Sequence, residues 1–227
     1  MSRWGDGTRS VRAGEDVPVP GAPLRPSPVF AAPFHLGDLP PRAGGADAYA
    51  RTEHPTLRAF EAAVGALDGG RCLSFATGMA AISAAVFACV SAGDRVVLPS
   101  DGYYTTRLLA RDELERFGIR VDYVATPDIE AVAARGDLHG ARLVFLETPS
   151  NPLLDVCDVA AVARAAHAAG AVVAVDNTTA PPACAARATA AMSQTSSSGL
   201  LGVSRNTSRA PSRPPRAATA SISGVAT

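Results

Sequence analysis

The sequence contains no lysine, because all 21 residues of its Lys and Arg total are arginines. The guanidinium of arginine stays protonated and is a poor nucleophile, so no side chain of this chain can condense with an aldehyde as a lysine amine does. Aromatic residues are also scarce, at 5% of 227 residues. The 47% of hydrophobic residues still suffices for a sizeable core, which must be built mainly from Ala, Val and Leu.

Cysteine motifs and long apolar runs are missing as well. No CxxC or Cys/His spacing occurs among the four cysteines, which are Cys72, Cys89, Cys157 and Cys184. This pattern argues against a zinc site and against a disulfide framework, and we expect buried, reduced thiols. No apolar run approaches the roughly 18 residues of a membrane span, and no signal-peptide pattern follows Met1. The sequence therefore predicts a soluble, cytoplasmic protein with no membrane partner.

Charge is distributed unevenly along the chain. All 21 acidic residues lie within residues 1–176, whereas residues 177–227 carry five arginines and no acid. From Ser193 onward the chain is rich in Ser, Arg and Pro and has no apolar periodicity, so residues 193–227 are predicted to be disordered. An out-of-frame or solvated tail is the favoured explanation, because the break falls inside a motif region. A basic tether for nucleic acid is the less favoured alternative.

Hydrophobic periodicity divides the rest of the chain. Residues 1–45 are rich in Pro and Gly and are expected to form an extended arm. Helices are then predicted over 55–67, 78–90, 106–117, 129–135 and 156–169, and strands over 95–99, 119–124, 143–147 and 172–176. Strands of nearly continuous Val and Leu that alternate with helices indicate a mainly parallel sheet covered on both faces. The prediction is an α/β domain over residues 46–192.

Polar residues follow three of the predicted strands, namely Asp101, Glu147 with Asn151, and Asp176. In parallel α/β sheets the ligand lies beyond the carboxyl ends of the strands, so this edge is the expected binding site. A carboxylate at the position of Asp176 would be partly desolvated and would favour a cationic partner such as a protonated pyridine nitrogen. The helix that begins at Gly78 could bind a phosphate with its amides. The ring of Tyr103 could stack on a planar heterocycle or simply pack against the core.

Five ordered blocks of sequence carry a family resemblance. They are YAR with HPT at 49–56, FATGMAAI at 75–82, GDRVVLPSDGYYTT at 93–106, ETPSNP at 147–152 and VDNTTAPP at 175–182. In order and spacing they resemble the Cys/Met-metabolism family of pyridoxal-phosphate (PLP) enzymes, which includes the cystathionine γ-synthases, γ-lyases and β-lyases. The resemblance covers about residues 45–182. It implies the large domain of an aminotransferase-like, fold type I PLP-dependent transferase.

The resemblance also implies roles for single residues. Gly78 and Met79 would give backbone amides to the phosphate of PLP, Tyr103 would stack on its ring, and Asp176 would pair with its pyridinium nitrogen. Asn151 matches a residue near the phenolic oxygen of PLP. Tyr49 and Arg51 match a pair that reaches the phosphate in the neighbouring subunit, which implies a homo-oligomer. Arg51 could alternatively be a solvated surface residue.

The chain departs from the family pattern at several points. Tyr104 stands where the family has Gly, and Pro181 with Pro182 stands where it has Thr-Pro. The expected Ser-x-Thr-Lys segment, whose lysine forms a Schiff base with PLP, does not follow, and neither does the small C-terminal domain whose arginine binds the substrate carboxylate. We therefore expect an incomplete large domain of a C-terminally truncated family member, without a catalytic lysine and inactive as written.

The activity implied by the resemblance is transsulfuration in sulfur amino-acid metabolism. The first expectation is a cystathionine γ-lyase-like elimination at the γ-carbon of a sulfur-containing amino acid or homoserine ester. The alternatives are a γ-synthase-like replacement, a non-catalytic remnant that pairs with full-length subunits, and a binding protein with a basic tail.

Overall fold

The computed structural model describes residues 5–12, 19–30, 54–68 and 70–180, together with the backbone of a strand at 219–222. The chain divides into two compact units, Met1–Ser74 and Phe75–Thr227. The predicted domain limits at residues 45 and 192 stay predictions.

The first unit contains two helices, α1 (Asp6–Arg12) and α2 (Pro55–Asp68). Helix α1 lies within the segment predicted as an extended arm, and its seven residues contain no proline to interrupt a helix. Helix α2 agrees with the predicted helix to within one residue and starts with proline, which is favourable at the first helical position. The chain after α2 is tied back to it, because Glu61 accepts hydrogen bonds from the amide and the hydroxyl of Ser74 at 2.7 and 2.8 Å.

The second unit is an α/β fold. Its elements, in chain order, are α3 (Gly78–Cys89), β1 (Arg95–Pro99), α4 (Tyr104–Leu109), a π-helical turn (Ala110–Leu114), β2 (Arg120–Val124), α5 (Ile129–Ala134), β3 (Leu143–Glu147), α6 (Val159–Ala168), β4 (Val172–Asp176) and β5 (Thr219–Ile222). The strands form one parallel sheet in the order β2-β1-β3-β4-β5. The predicted mainly parallel α/β architecture is confirmed.

Strand β3 lies at the centre of the sheet and is buried throughout. Leu143 and Phe145 point to one face, where they pack in a cluster with Ile82 and Val86 of α3. Val144 and Leu146 point to the other face, where α5 and α6 supply the apolar partners. This alternation buries both faces of the sheet, as the nearly continuous apolar sequence of the strand requires.

The starts of two helices differ from the sequence prediction by two or three residues. Helix α4 starts two residues early and continues as a π-helical turn, in which the amide of Glu115 bonds to the carbonyl of Ala110. Helix α6 starts three residues late, because the carboxylate of Asp158 caps it by accepting from the amide of Ala161 at 2.9 Å.

Within the segment 193–227, which was predicted to be disordered, Thr219–Ile222 form β5 and pair in parallel with β4. These four residues include no proline or charge, and the edge of β4 offers unpaired backbone groups to any strand that reaches it. In the part of the chain that the structure describes, no helix has the length and apolar character needed to cross a bilayer.

Candidate functional site

The sheet brings two carboxylates together at its carboxyl edge. The parallel register of β3 and β4 pairs Glu147 with Asp176, so their side chains start from neighbouring positions. Asp176 is 3% exposed, and its Oδ1 accepts hydrogen bonds from the amide and hydroxyl of Thr178 at 3.0 and 2.6 Å. Among the described residues, no Arg or His forms an ion pair with Asp176. A buried carboxylate of this kind favours a cationic partner.

The first turn of α3 supplies hydrogen-bond donors. Thr77 caps this helix, since its hydroxyl accepts from the amide of Ala80 at 3.1 Å. The amides of Gly78 and Met79 have no acceptor among the residues that the structure describes, and a Cβ added at Gly78 would meet nothing within 4 Å. Helix N-terminal amides without a protein acceptor suit an anionic ligand such as a phosphate.

One contact places Met79 of α3 next to α4, which starts beside Tyr103. The hydroxyl of Thr106, a buried residue, lies 3.9 Å from the sulfur of Met79. The ring of Tyr103 is partly exposed and meets the exposed ring of Tyr104 edge to face, with centroids 5.1 Å apart. The structure thus places Gly78 and Met79, in the first turn of α3, near Tyr103, which directly precedes α4.

Glu147 connects Tyr103 to the sheet, a link that the sequence analysis missed. Its Oε2 accepts a hydrogen bond of 2.6 Å from the backbone amide of Tyr103, 44 residues away in the chain. Glu147 is 5% exposed, and this burial raises its pKa to about 7. The negative charges of Asp176 and Asp101 also raise that pKa, while the amide of Tyr103 and the guanidinium of Arg107 lower it. The only sequence signal was the position of Glu147 at a strand end.

Asp101 occupies the other side of the same edge. Its Oδ1 accepts from the amide and hydroxyl of Thr126 at 3.0 and 2.9 Å. Its Oδ2 is buried and has no hydrogen-bond partner among the described residues. Asp101 thus fixes the loop after β1 to the segment after β2, and its charge adds to the acidic character of the edge.

The remaining predicted site positions are Asn151, Tyr49 and Arg51. Asn151 lies in the loop after β3, where it is exposed, and no hydrogen bond of the described residues links its side chain to Asp176 or Tyr103. Tyr49 and Arg51 lie outside the described residues. Their proposed roles stay predictions, as do the roles of Gly78, Met79, Tyr103 and Asp176 toward a cofactor.

Comparison with known proteins decides the family. The model of the Cys/Met metabolism PLP-dependent enzyme family matches residues 31–189. The chain belongs to this family. A Streptomyces coelicolor protein provisionally named a cystathionine gamma-lyase is 50% identical over 183 residues, which are 78% of this chain and 45% of that protein. The cystathionine gamma-synthase of Mycobacterium tuberculosis is 36% identical over 180 residues, 79% of this chain and 46% of that protein.

Solved structures agree with this assignment. The crystal structure of cystathionine gamma-lyase from Lactobacillus plantarum complexed with L-serine matches with a TM-score of 0.66 and 32% identity. The match covers 79% of this chain and 46% of that one. The chain therefore spans about half the length of the relatives it matches, and within that span the predicted family and fold are confirmed.

The residues at the sheet edge fit the cofactor of this family. PLP carries a phosphate, a flat ring and a ring nitrogen, and the edge offers free helix amides, an aromatic ring and a buried carboxylate without a cationic partner among the described residues. The donor set lacks one group, because the sequence has no lysine amine for the aldehyde of PLP.

Proposed function

We propose that the carboxyl edge of this sheet binds PLP as part of a transsulfuration enzyme of the cystathionine γ-lyase type, acting at the γ-carbon of a sulfur-containing amino acid or homoserine ester. The observation that carries the proposal is the buried carboxylate of Asp176 at the end of β4. The 50% identity to a protein named for γ-lyase activity favours that type. A γ-synthase-like replacement is the second candidate, supported by the 36% identity to the enzyme of M. tuberculosis.

Each residue has a distinct part in this proposal. Asp176 keeps a proton on the ring nitrogen by pairing with its positive charge. The amides of Gly78 and Met79 bind the phosphate, and the ring of Tyr103 covers one face of the cofactor. Bound PLP supplies an electron sink for a carbanion at the substrate.

The missing lysine limits what this chain does by itself. No side chain of the 227 residues can form a Schiff base with PLP or supply an amine for proton transfer at the substrate. We propose that the chain binds PLP without a covalent bond and does not turn over a substrate alone. The same proposal includes a homo-oligomer, in which Tyr49 and Arg51 reach a neighbouring subunit. It also includes a cytoplasmic location.

The substitution Asp176→Asn tests the cofactor site. Asparagine keeps an oxygen that can accept from Thr178 but removes the negative charge. A hydrogen bond to a charged group contributes about 1.5–3 kcal/mol, so the affinity for PLP should fall roughly tenfold or more. Equilibrium dialysis of the full chain against PLP measures this affinity.

Asp137→Asn is the matched control. This carboxylate is exposed and pairs with Arg135 in the loop before β3, at the opposite edge of the sheet, so the affinity should not change. Equal affinity of the unmodified chain and Asp176→Asn would show that the carboxylate does not bind the cofactor.

A further inference from the structure

The loop between β1 and α4 is held on two sides. Toward β2, the amide of Ser100 bonds to the carbonyl of Val124 at 3.0 Å, and Asp101 accepts both bonds from Thr126. Toward β3, the loop is attached by the hydrogen bond of 2.6 Å that the amide of Tyr103 donates to the carboxylate of Glu147. That second attachment lies on the side of Asp176, because Glu147 and Asp176 are register partners.

The fit between Glu147 and this loop is close. A Cβ added at Gly102 would lie 2.7 Å from Oε2 of Glu147 and 2.8 Å from Cγ of Pro99. Any side chain at residue 102 would therefore push the carboxylate or the proline ring aside. The loop backbone therefore lies close to the carboxylate, and the absence of a side chain at Gly102 permits this approach.

We propose that Glu147 is a positioning residue, which fixes the backbone of Tyr103 from the end of β3 and so sets where the Tyr103 ring lies relative to Asp176. This proposal rests on the proposed function, because the position of the Tyr103 ring matters for binding only if that ring covers PLP. Glu147 itself acts through the backbone of Tyr103 and not through a contact with the cofactor. Two further acids lie nearby, so a buried carboxylate at this position is unfavourable by itself. Its role in the proposal is to anchor the loop that carries the Tyr103 ring.

The bond itself can be tested without any cofactor. The full chain has four tyrosines, so labelling them with ¹⁵N gives at most four backbone amide signals in an NMR spectrum, and Tyr103→Phe identifies that of Tyr103. Glu147→Ala should accelerate hydrogen exchange of the Tyr103 amide about tenfold or more, because the acceptor is lost. Glu147→Gln keeps an acceptor oxygen in the same place and should retain most of the protection.

Glu130→Ala is the matched control. Glu130 also accepts a bond of 2.6 Å from a distant backbone amide, that of Asp158, but it lies on α5. This variant should leave exchange at Tyr103 unchanged. If Glu147→Ala also leaves it unchanged, the proposal is overturned. If Glu147→Ala does not fold, Gly102→Ala decides in its place, since it displaces the loop while Glu147 stays, and it should accelerate exchange in the same way.

Affinity for PLP tests whether Glu147 acts through Tyr103. Glu147→Ala and Tyr103→Ala should each weaken binding in equilibrium dialysis, and the double variant should bind no more weakly than Tyr103→Ala alone. Additive losses would overturn the proposal, because Glu147 would then act independently of the ring. Asp176→Asn separates the cofactor-site hypothesis from the positioning hypothesis. If this variant binds PLP with the same affinity as the unmodified chain, the proposed cofactor site is wrong. The exchange rates alone then decide whether Glu147 positions Tyr103.

Discussion

Asp101, Glu147 and Asp176 follow three adjacent strands, β1, β3 and β4, and meet at one edge of the sheet. Burial is the main cause that raises the pKa of Glu147, the middle one of the three, to about 7, and the negative charges of its two acidic neighbours raise it further. A concentration of buried negative charge destabilises the folded chain unless a cationic ligand lies there. Such an arrangement is typical of a binding site.

The pH dependence of stability should report on Glu147. Its pKa is about 7 in the folded chain against an ordinary value of 4.5, so the folded state holds the proton more tightly. The stability contributed by the protonated form is present below about pH 4.5 and is lost as the pH rises through 7. The free energy of unfolding should therefore fall by up to about 3 kcal/mol between pH 5 and pH 8.

Urea unfolding at several pH values, with the Glu147→Gln variant beside the unmodified chain, measures this effect. Glutamine does not titrate, so the difference in unfolding free energy between the two chains should change across this range, while contributions from other groups cancel. Arg107 and the two neighbouring acids, Asp101 and Asp176, stay in place in both chains. Parallel pH profiles for both chains would contradict the assignment of the raised pKa to Glu147.

Single site residues were partly predictable from the sequence. The position of Asp176 follows from an apolar strand that ends in an acid, and that of Gly78 from a Gly that opens an apolar helix. The bond from Tyr103 to Glu147 was not predictable, because the two residues are 44 positions apart and the bond uses a backbone amide, which leaves no mark on the residue type.

At the scale of elements, strands were predicted more accurately than helices. Strands β1, β3 and β4 have the predicted limits, because buried parallel strands are short apolar runs between turns. The helix starts depended on capping and tertiary contacts, as with Asp158 at α6. The π-helical turn after α4 has no sequence signal, since it results from one shifted set of backbone hydrogen bonds.

The N-terminus of α3 gives a prediction at this scale. Thr77 is its cap, and Thr77→Ala removes the acceptor for the amide of Ala80, so the free energy of unfolding should fall by about 1 kcal/mol. Thr77→Ser retains the hydroxyl and should stay within a few tenths of a kcal/mol of the unmodified chain. Urea unfolding compares the three chains, and equal stability of the Ala and Ser variants would show that the cap contributes nothing.

At the scale of the whole molecule, the parallel sheet with helices on both faces followed from the alternation of elements, and the family followed from the ordered motifs. Strand β5 was missed because its four residues lie in a segment of Ser, Arg and Pro, and only the edge of β4, more than 40 residues earlier, makes them a strand. Pairing between distant segments is a property of the assembled sheet and not of the local pattern.

Composition of the whole chain gives the last prediction. Incubation of the full chain with PLP, reduction with borohydride and peptide mapping should find no pyridoxyl group on any internal side chain, because no lysine is present among the 227 residues. Labelling of the N-terminal amine is expected and does not bear on the site.

The variant Arg164→Lys provides the positive control, because residue 164 is exposed on α6 and the new amine should be labelled under the same conditions. PLP bound to the unmodified chain should instead be released intact on denaturation, since the proposed interactions with the amides of α3, Tyr103 and Asp176 are all reversible. A reduced adduct on an internal residue of the unmodified chain would mean that another side chain has taken over the role of the amine, and non-covalent binding would then have to be abandoned.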